Sequence, residues 1–258
     1  MKTPPLIVFT DLDGTLLDHA TYDWSPAAPV LQDLIQNDIP VILTSSKTAP
    51  EIADLRSAMG LDAYPAICEN GAGVMPAGQG AMPERDAYWR LREALDSLPT
   101  ALRAPYRGFG DMDVEHVASS TGLPLEDAAK AATRAFSEPG LWSGDDQGRA
   151  DFIAAMAERG VHARDGGRFL TLGWGRRKSD AMAEVLAQYG NPPSIALGDA
   201  PNDIEMIEAA TQGVIIPNPH RDPLPPLKGE GDGHILREQM PAPNGWANAV
   251  STLMRRYI

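Results

Sequence analysis

The chain has 258 residues, 43% of them hydrophobic, which is enough for one large domain or two modest ones. A net charge of −13 and a pI near 4.7 argue against nucleic-acid or anionic-membrane partners, which favour basic patches. Cys68 is the single cysteine, so no internal disulfide can form and a reducing cytoplasm is expected.

Met1-Lys2-Thr3-Pro4-Pro5 leads into only Leu6-Ile7-Val8-Phe9, a run that predicts neither a signal peptide nor a membrane span. The four apolar residues suit a strand buried on both faces. It ends in Asp11-Leu12-Asp13-Gly14-Thr15. Were the backbone extended here, the two carboxylates would share a face and repel each other unless a cation lay between them. A hard ion with oxygen ligands, Mg²⁺ above all, suits such a pair. An Asp-Gly turn alone accounts for Asp13-Gly14 but not for Asp11 or Thr15.

Ser25-Pro26 predicts a capped helix over 27–37. A second strand over 40–44 runs into Ser45-Ser46-Lys47-Thr48, and Pro50 opens a helix to Met59 with Gly60 as its stop. A third strand, 66–68, holds Cys68 as a small buried residue and ends at Glu69-Asn70-Gly71. Strand and helix in alternation predict a parallel sheet wrapped by helices, with ligands beyond the carboxyl ends of the strands. Asp11, Ser45 and Asn70 all fall at such ends. Residues 71–80 carry four glycines and read as a linker.

From Pro83 to about Gly173 the rhythm is irregular. Helices are predicted over 88–98, 113–120, 125–136 and 151–159, then strands over 161–164 and 168–172 joined at Asp165-Gly166-Gly167, a hairpin signal. This predicts an α+β insertion over 81–173 within a sheet domain made of 1–80 and 174–258. The βα pattern resumes with a helix over 178–189, a strand over 194–197, a helix over 204–210 and a strand over 214–216. An exposed Pro/Gly-rich loop over 217–233 and a last helix over 244–255 follow. The five histidines have no metal-ligand spacing and read as surface or local structure.

Gly198-Asp199-Ala200-Pro201-Asn202-Asp203 repeats the opening logic, carboxylates at a strand end before a helix. By itself this could be a helix cap. Coupled to Asp11 and Asp13 it reads as the rest of a Mg²⁺ site, with Asp199 on the metal and Asp203 as a second ligand or a support. Arg176-Arg177-Lys178 would ordinarily be a solvated surface feature. Lys178, however, sits at the helix end that disfavours a cation. A phosphate together with aspartates would hold it there.

Asp11-Leu12-Asp13-Gly14-Thr15, Ser45, Lys178 and Gly198–Asp203, in this order at strand and helix ends, resemble the haloacid dehalogenase superfamily of phosphatases. The resemblance implies an α/β fold, a Rossmann-like parallel sheet with an inserted C2B-like α+β cap that closes over the site. It implies Asp11 as the nucleophile that becomes an aspartyl phosphate and Asp13 as general acid and base. Ser45 and Lys178 would hold phosphoryl oxygens, and Mg²⁺ would lie among Asp11, Asp13, Asp199 and Asp203. Phosphoryl transfer depends mainly on positioning and electrostatics, which agrees with such a set.

A narrower likeness runs through Ser45-Ser46-Lys47-Thr48 with Glu51, Glu69-Asn70-Gly71, Arg134–Pro139, Gly166-Gly167-Arg168-Phe169 and Gly245-Trp246. These resemble mannosyl-3-phosphoglycerate phosphatases. Arg176-Arg177-Lys178 departs from the Asp-Lys-Gly expected there. This likeness implies a small anionic mannosyl- or glucosyl-phosphoglycerate substrate, yielding a compatible solute. It places Lys47, Asn70, Arg134 and Arg168 among the substrate contacts, an arginine fork being suited to a carboxylate. A cytoplasmic monomer or homodimer is expected. The alternatives are a general sugar-phosphate phosphatase, a signalling receiver and a silent binding module. The long insertion and Asp13 weigh against the last two.

Overall fold

The computed structural model describes residues 3–80, 84–166 and 168–258, so the readings that fall on Met1, Lys2, Pro83 and Gly167 lie outside it. The chain divides into two compact units. The first comprises Met1–Ser46, Ile52–Gln79 and Arg177–Ile258, the second Lys47–Glu51 and Gly80–Arg176.

Strand β1 (Ile7–Thr10) is buried at every residue, as a run without polar alternation requires. One 3-10 turn at Ser25–Ala27 leads into helix α1 (Ala28–Gln36), which buries Leu31 and Leu34. Strand β2 (Val41–Leu43), helix α2 (Ala49–Ala58) and strand β3 (Ala66–Cys68) follow. Cys68 is buried, as expected. The stretch expected to be a linker contains strand β4 (Gly73–Met75), antiparallel to β3 with Ile67 opposite Val74. Its glycines mask a strand made of only three residues.

In the second unit, helix α3 (Asp86–Asp96) buries Tyr88, Leu91 and Leu95, and helix α4 (Thr100–Arg103) and strand β5 (Tyr106–Gly108) follow. Helix α5 (Val114–Thr121) starts at Asp113, whose carboxylate accepts from the His116 N–H at 2.8 Å, and stops at Gly122. Helix α6 (Leu125–Ala132) is shorter than its expected reach to Phe136. The Arg134 N–H donates to the Ala132 carbonyl, closing a tight turn instead of another helical turn. Strand β6 (Glu138–Trp142), helix α7 (Asp146–Ala157) and strands β7 (His162–Gly166) and β8 (Phe169–Gly173) complete the unit. The last two form the expected hairpin. The antiparallel sheet runs β5-β6-β8-β7. Leu91, Leu95, Tyr106, Phe152, Leu170 and Leu172 form its core. Glu138 is buried in this unit, accepting from Tyr88 Oη (2.9 Å), Arg92 Nη1 (2.6 Å) and the Gly110 N–H (2.8 Å). Thr48 also belongs here, its hydroxyl donating to the Lys130 carbonyl at 2.9 Å.

The first unit resumes with helix α8 (Lys178–Gln188), strand β9 (Ser194–Gly198), helix α9 (Ile204–Ala209), strands β10 (Gln212–Ile215) and β11 (Ile235–Arg237), and helix α10 (Asn244–Met254). The sheet runs β11-β10-β9-β1-β2, and every pairing in it is parallel. A parallel bridge between Thr44 and Ile67 continues it towards β3. Ala181, Met182 and Val185 of α8 pack on Ile7, Phe9 and Ala196. The 217–233 loop is largely exposed, as expected, with Leu224 as its buried anchor against Ile207, Ile215 and Ile235. Trp246 of α10 is fully buried, and its indole N–H donates to Thr10 Oγ1 (2.9 Å), whose hydroxyl donates in turn to the Asp11 carbonyl (2.7 Å). Among the described residues no helix is long and apolar enough to cross a membrane.

Candidate active site

The parallel strands deliver the acidic motifs to one end of the first unit's sheet. The Asp11 N–H donates to the Leu197 carbonyl at 2.9 Å, tying the residue after β1 to the end of β9. Beyond Asp11 the chain does not stay extended. It turns at Leu12, whose carbonyl accepts the N–H groups of Thr15, Leu16 and Leu17. The extended-backbone argument for placing Asp11 and Asp13 on a common face therefore does not apply. The turn needs Gly14 (φ +84°), and a Cβ there would lie 2.3 Å from Asn218 Nδ2.

Lys178, the first residue of α8, is 1% exposed. Its three ammonium protons are all used, donated to Asp11 Oδ1 (2.6 Å), Asp203 Oδ1 (2.7 Å) and the Thr44 carbonyl (3.0 Å). Aspartates therefore explain its place at the unfavourable end of the helix. Arg177 beside it follows the bland reading, half-exposed and paired with Glu205. Asp203 closes a 3-10 turn (Pro201–Asp203), its Oδ2 accepting from the N–H groups of Asp199 (3.1 Å) and Ala200 (3.0 Å). Asp203 thus fixes the backbone that carries Asp199. Asp199 Oδ1 accepts from Thr15 Oγ1 (3.0 Å), and its Oδ2 from Asn218 Nδ2 (2.8 Å).

The electrostatics are those of excess negative charge out of water. Burial pushes the Asp11 carboxyl up to about 8. Lys178 pulls against that, and Asp203, Asp199 and Asp13 add to it. Burial would lower Lys178, yet Asp11 and Asp203 hold it above the ordinary ammonium range. Burial also raises Asp199, opposed by the Asn218 hydrogen bond and reinforced by Asp203.

One carboxylate oxygen from each of Asp11, Asp199 and Asp203 falls within 4.8 Å of the others. A small oxygen-only donor set with surplus negative charge fits a hard divalent cation such as Mg²⁺. The Asp13 carboxylate is half-buried and lies outside that set. Ser45 is buried at the end of β2, where its N–H donates to the Ile67 carbonyl and its carbonyl accepts the Asn70 N–H (both 2.9 Å). Glu69 and Asn70 both adopt positive φ, +49° and +60°. Backbone in this region is costly for non-glycine residues and concentrates at functional sites. The Asn70 side-chain oxygen accepts from Asn202 Nδ2 at 2.9 Å. Lys47, Arg134 and Arg168 belong to the second unit. Arg134 is buried and donates to Ser137 Oγ (2.8 Å), whereas Arg168 is exposed and donates to the Ser120 carbonyl (2.7 Å).

Residues 8–84 match the family model of haloacid dehalogenase-like hydrolases. The chain has the haloacid dehalogenase-type fold. A phosphatase of this superfamily from Bacteroides thetaiotaomicron is 16% identical, covering 95% of this chain and 94% of its own, at a TM-score of 0.67. The sucrose-phosphatase of Synechocystis sp. PCC6803, solved with sucrose and phosphate, is 14% identical over 98% of each chain at 0.61. A subclass IIB sugar phosphatase is also 14% identical, over 97% of this chain and 98% of its own, at 0.61.

Within this haloacid dehalogenase-type core, sequence reasoning missed three contributors. Thr15 stood inside the opening motif without a role, although a hydroxyl two residues past an aspartate pair was a usable signal. Asn218 and Arg221 lie in the loop read as exposed, and nothing local marks them. They reach Asp199 only because β10 runs beside β9.

Proposed function

We propose that the protein is a Mg²⁺-dependent phosphomonoester hydrolase acting through an aspartyl-phosphate intermediate. The observation that carries this reading is the buried Lys178 shared by Asp11 and Asp203, with Asp199 completing an oxygen cluster. Asp11 is the nucleophile: its carboxylate oxygen bonds to phosphorus as the ester P–O bond breaks. Asp13 delivers a proton to the departing alkoxide, then takes one from the water that attacks phosphorus and returns Asp11 to a carboxylate. Ser45 and Lys178 hold the phosphoryl oxygens, Lys178 by exchanging one of its three present acceptors for the substrate. Asp11 and Asp199 hold the metal, Asp203 supports them, and Asp13 is assigned to the same set. Bound Mg²⁺ would supply charge neutralisation for an anionic side chain approaching an anionic ester. Lys178 does part of the same work from the protein side, since its position is fixed before substrate arrives.

The second unit is assigned to specificity, as a cap. The substrate proposed is mannosyl-3-phosphoglycerate or its glucosyl analogue, with Asn70, Lys47, Arg134 and Arg168 as its contacts and the protein in a reducing cytoplasm. The motif likeness across Arg134–Pro139 and Gly245-Trp246 supports this narrower substrate. A general sugar-phosphate phosphatase is the second reading, favoured by the sugar-phosphatase structures that share the fold.

The test is phosphate release by purified protein across hexose phosphates, sucrose phosphate and glycosyl-phosphoglycerates. Equal turnover of simple hexose phosphates defeats the narrow substrate and leaves the general one. Asp11→Asn is expected to abolish release with the fold intact, and substantial residual activity removes Asp11 as nucleophile. Asp13→Asn is expected to slow both formation and breakdown of the phosphoenzyme in single turnovers. No change in either step removes Asp13 from the chemistry.

A further inference from the structure

Asp199 is contacted from three directions, and the three partners are unlike one another. Thr15, fully buried, donates to Oδ1 at 3.0 Å. Asn218, half-buried and close against Gly14, donates to Oδ2 at 2.8 Å. Both are neutral and packed in place. The third, Arg221, brings its Nε to 3.2 Å from the same Oδ2 while its side chain is 36% exposed. A partly exposed cation therefore shares an oxygen with a neutral donor, on a carboxylate whose own side chain is fully buried.

The charge count gives this contact a role. Asp11, Asp199 and Asp203 bring three carboxylates together, and Lys178 offsets one. Lys178 cannot serve Asp199 as well, because its three donors are committed elsewhere. Buried charge without a partner is costly. Among the described residues Arg221 is the cation paired with Asp199, and it reaches it from the solvent side, where a guanidinium can leave without being stranded.

We propose that Arg221 is a resident counter-ion of the metal site. It neutralises Asp199 while no divalent cation is bound, must withdraw from Oδ2 when one binds, and thereby sets the affinity. This rests on reading Asp199 as a metal ligand. Arg221 is a positioning residue: it acts on the ion's place through Asp199 and takes no part in the bond-making steps. Thr15 and Asn218 keep the carboxylate aimed while Arg221 leaves.

The sign of the effect separates this role from a structural one. Loss of a structural contact weakens Mg²⁺ binding, whereas loss of a competitor tightens it. Isothermal titration of Mg²⁺ into metal-free protein is expected to give Arg221→Gln and Arg221→Ala an affinity about fivefold higher than wild type, the worth of a partly exposed ion pair. Arg237→Gln, which removes the same charge from a pair with Glu230, is expected to match wild type. Unchanged or weaker binding by both Arg221 variants overturns the proposal, as does equal tightening by Arg237→Gln, which reduces the effect to bulk charge. If wild type binds Mg²⁺, Asp199→Asn does not and both Arg221 variants match wild type, this inference fails while the metal site stands. If wild type and Asp199→Asn both fail to bind, the metal reading falls and takes this inference with it.

Discussion

Lys178→Met tests the centre of the site most directly, because it keeps an unbranched side chain, one atom shorter, and removes the ammonium with its charge and its three donors. The ammonium is 1% exposed and lies 2.6 and 2.7 Å from two carboxylates. Breaking a buried pair by removing one partner costs about 3–5 kcal/mol. The lower end applies here, since the Asp11 carboxyl, pushed up to about 8, already holds a proton at neutral pH, so Asp203 is the charge that loses its partner. A loss of ~3 kcal/mol in a core of this size corresponds to a fall in Tm of roughly 6–12 °C. Thermal unfolding followed by circular dichroism in EDTA at neutral pH measures it. Saturating Mg²⁺ is expected to restore part of the loss, as a divalent cation takes over the missing charge. Phosphate release is expected to fall by about 10²–10³, the cost of removing one charge-stabilising donor. A metal-free Tm within 2 °C of wild type, about 1 kcal/mol or less, refutes the claim that Lys178 balances this buried charge.

Four further outcomes follow from the same structure. Because folding raises the Asp11 pKa to about 8, the native state holds a proton that the unfolded chain has released between about pH 4 and 8, so metal-free stability should fall as pH rises through that window. Mg²⁺ binding should release that proton below pH 8 and none at pH 9, measured as buffer-dependent heats of titration; pH-independent proton release contradicts the assignment. Gly14→Ala places a Cβ against Asn218 in a left-handed turn, and a loss of about 1–2 kcal/mol with weakened Mg²⁺ binding is expected in chemical denaturation. Glu138→Ala strips Tyr88 and Arg92 of a buried acceptor and is expected to destabilise the second unit by ~3 kcal/mol in the same measurement.

The sheet was legible in the sequence where strands are continuous apolar runs closed by polar ends, as in β1 and β9. Buried parallel strands have no polar alternation to obscure them. Strands β4, β5, β6 and β11 were not legible. β4 lies in a glycine-rich stretch, β6 carries Pro139 and Gly140, and β11 is three residues long beyond a loop rich in Pro and Gly. Their pairing comes from partners distant in sequence rather than from local preference. Among the site residues, Asp11, Asp199, Asp203 and Lys178 could be singled out because each stands where an element begins or ends, and the fold brings these four together. Arg221 and Asn218 could not, because their meaning depends on which loop crosses which strand end. Lys178 was legible for a further reason: a lysine at a helix start contradicts a local rule, and such contradictions mark places where something non-local compensates.

The indole of Trp246 has a consequence for the order in which this protein is made. The main-chain carbonyl of Asp11, the proposed nucleophile, is anchored by a hydroxyl that is itself held by a side chain arriving 236 positions later in translation. A ribosome that has already extruded every acidic loop has therefore not yet supplied the bond that steadies the first one. Competence for the proposed chemistry is expected to arrive abruptly, with emergence of α10, so that a nascent chain stalled before it stays inert.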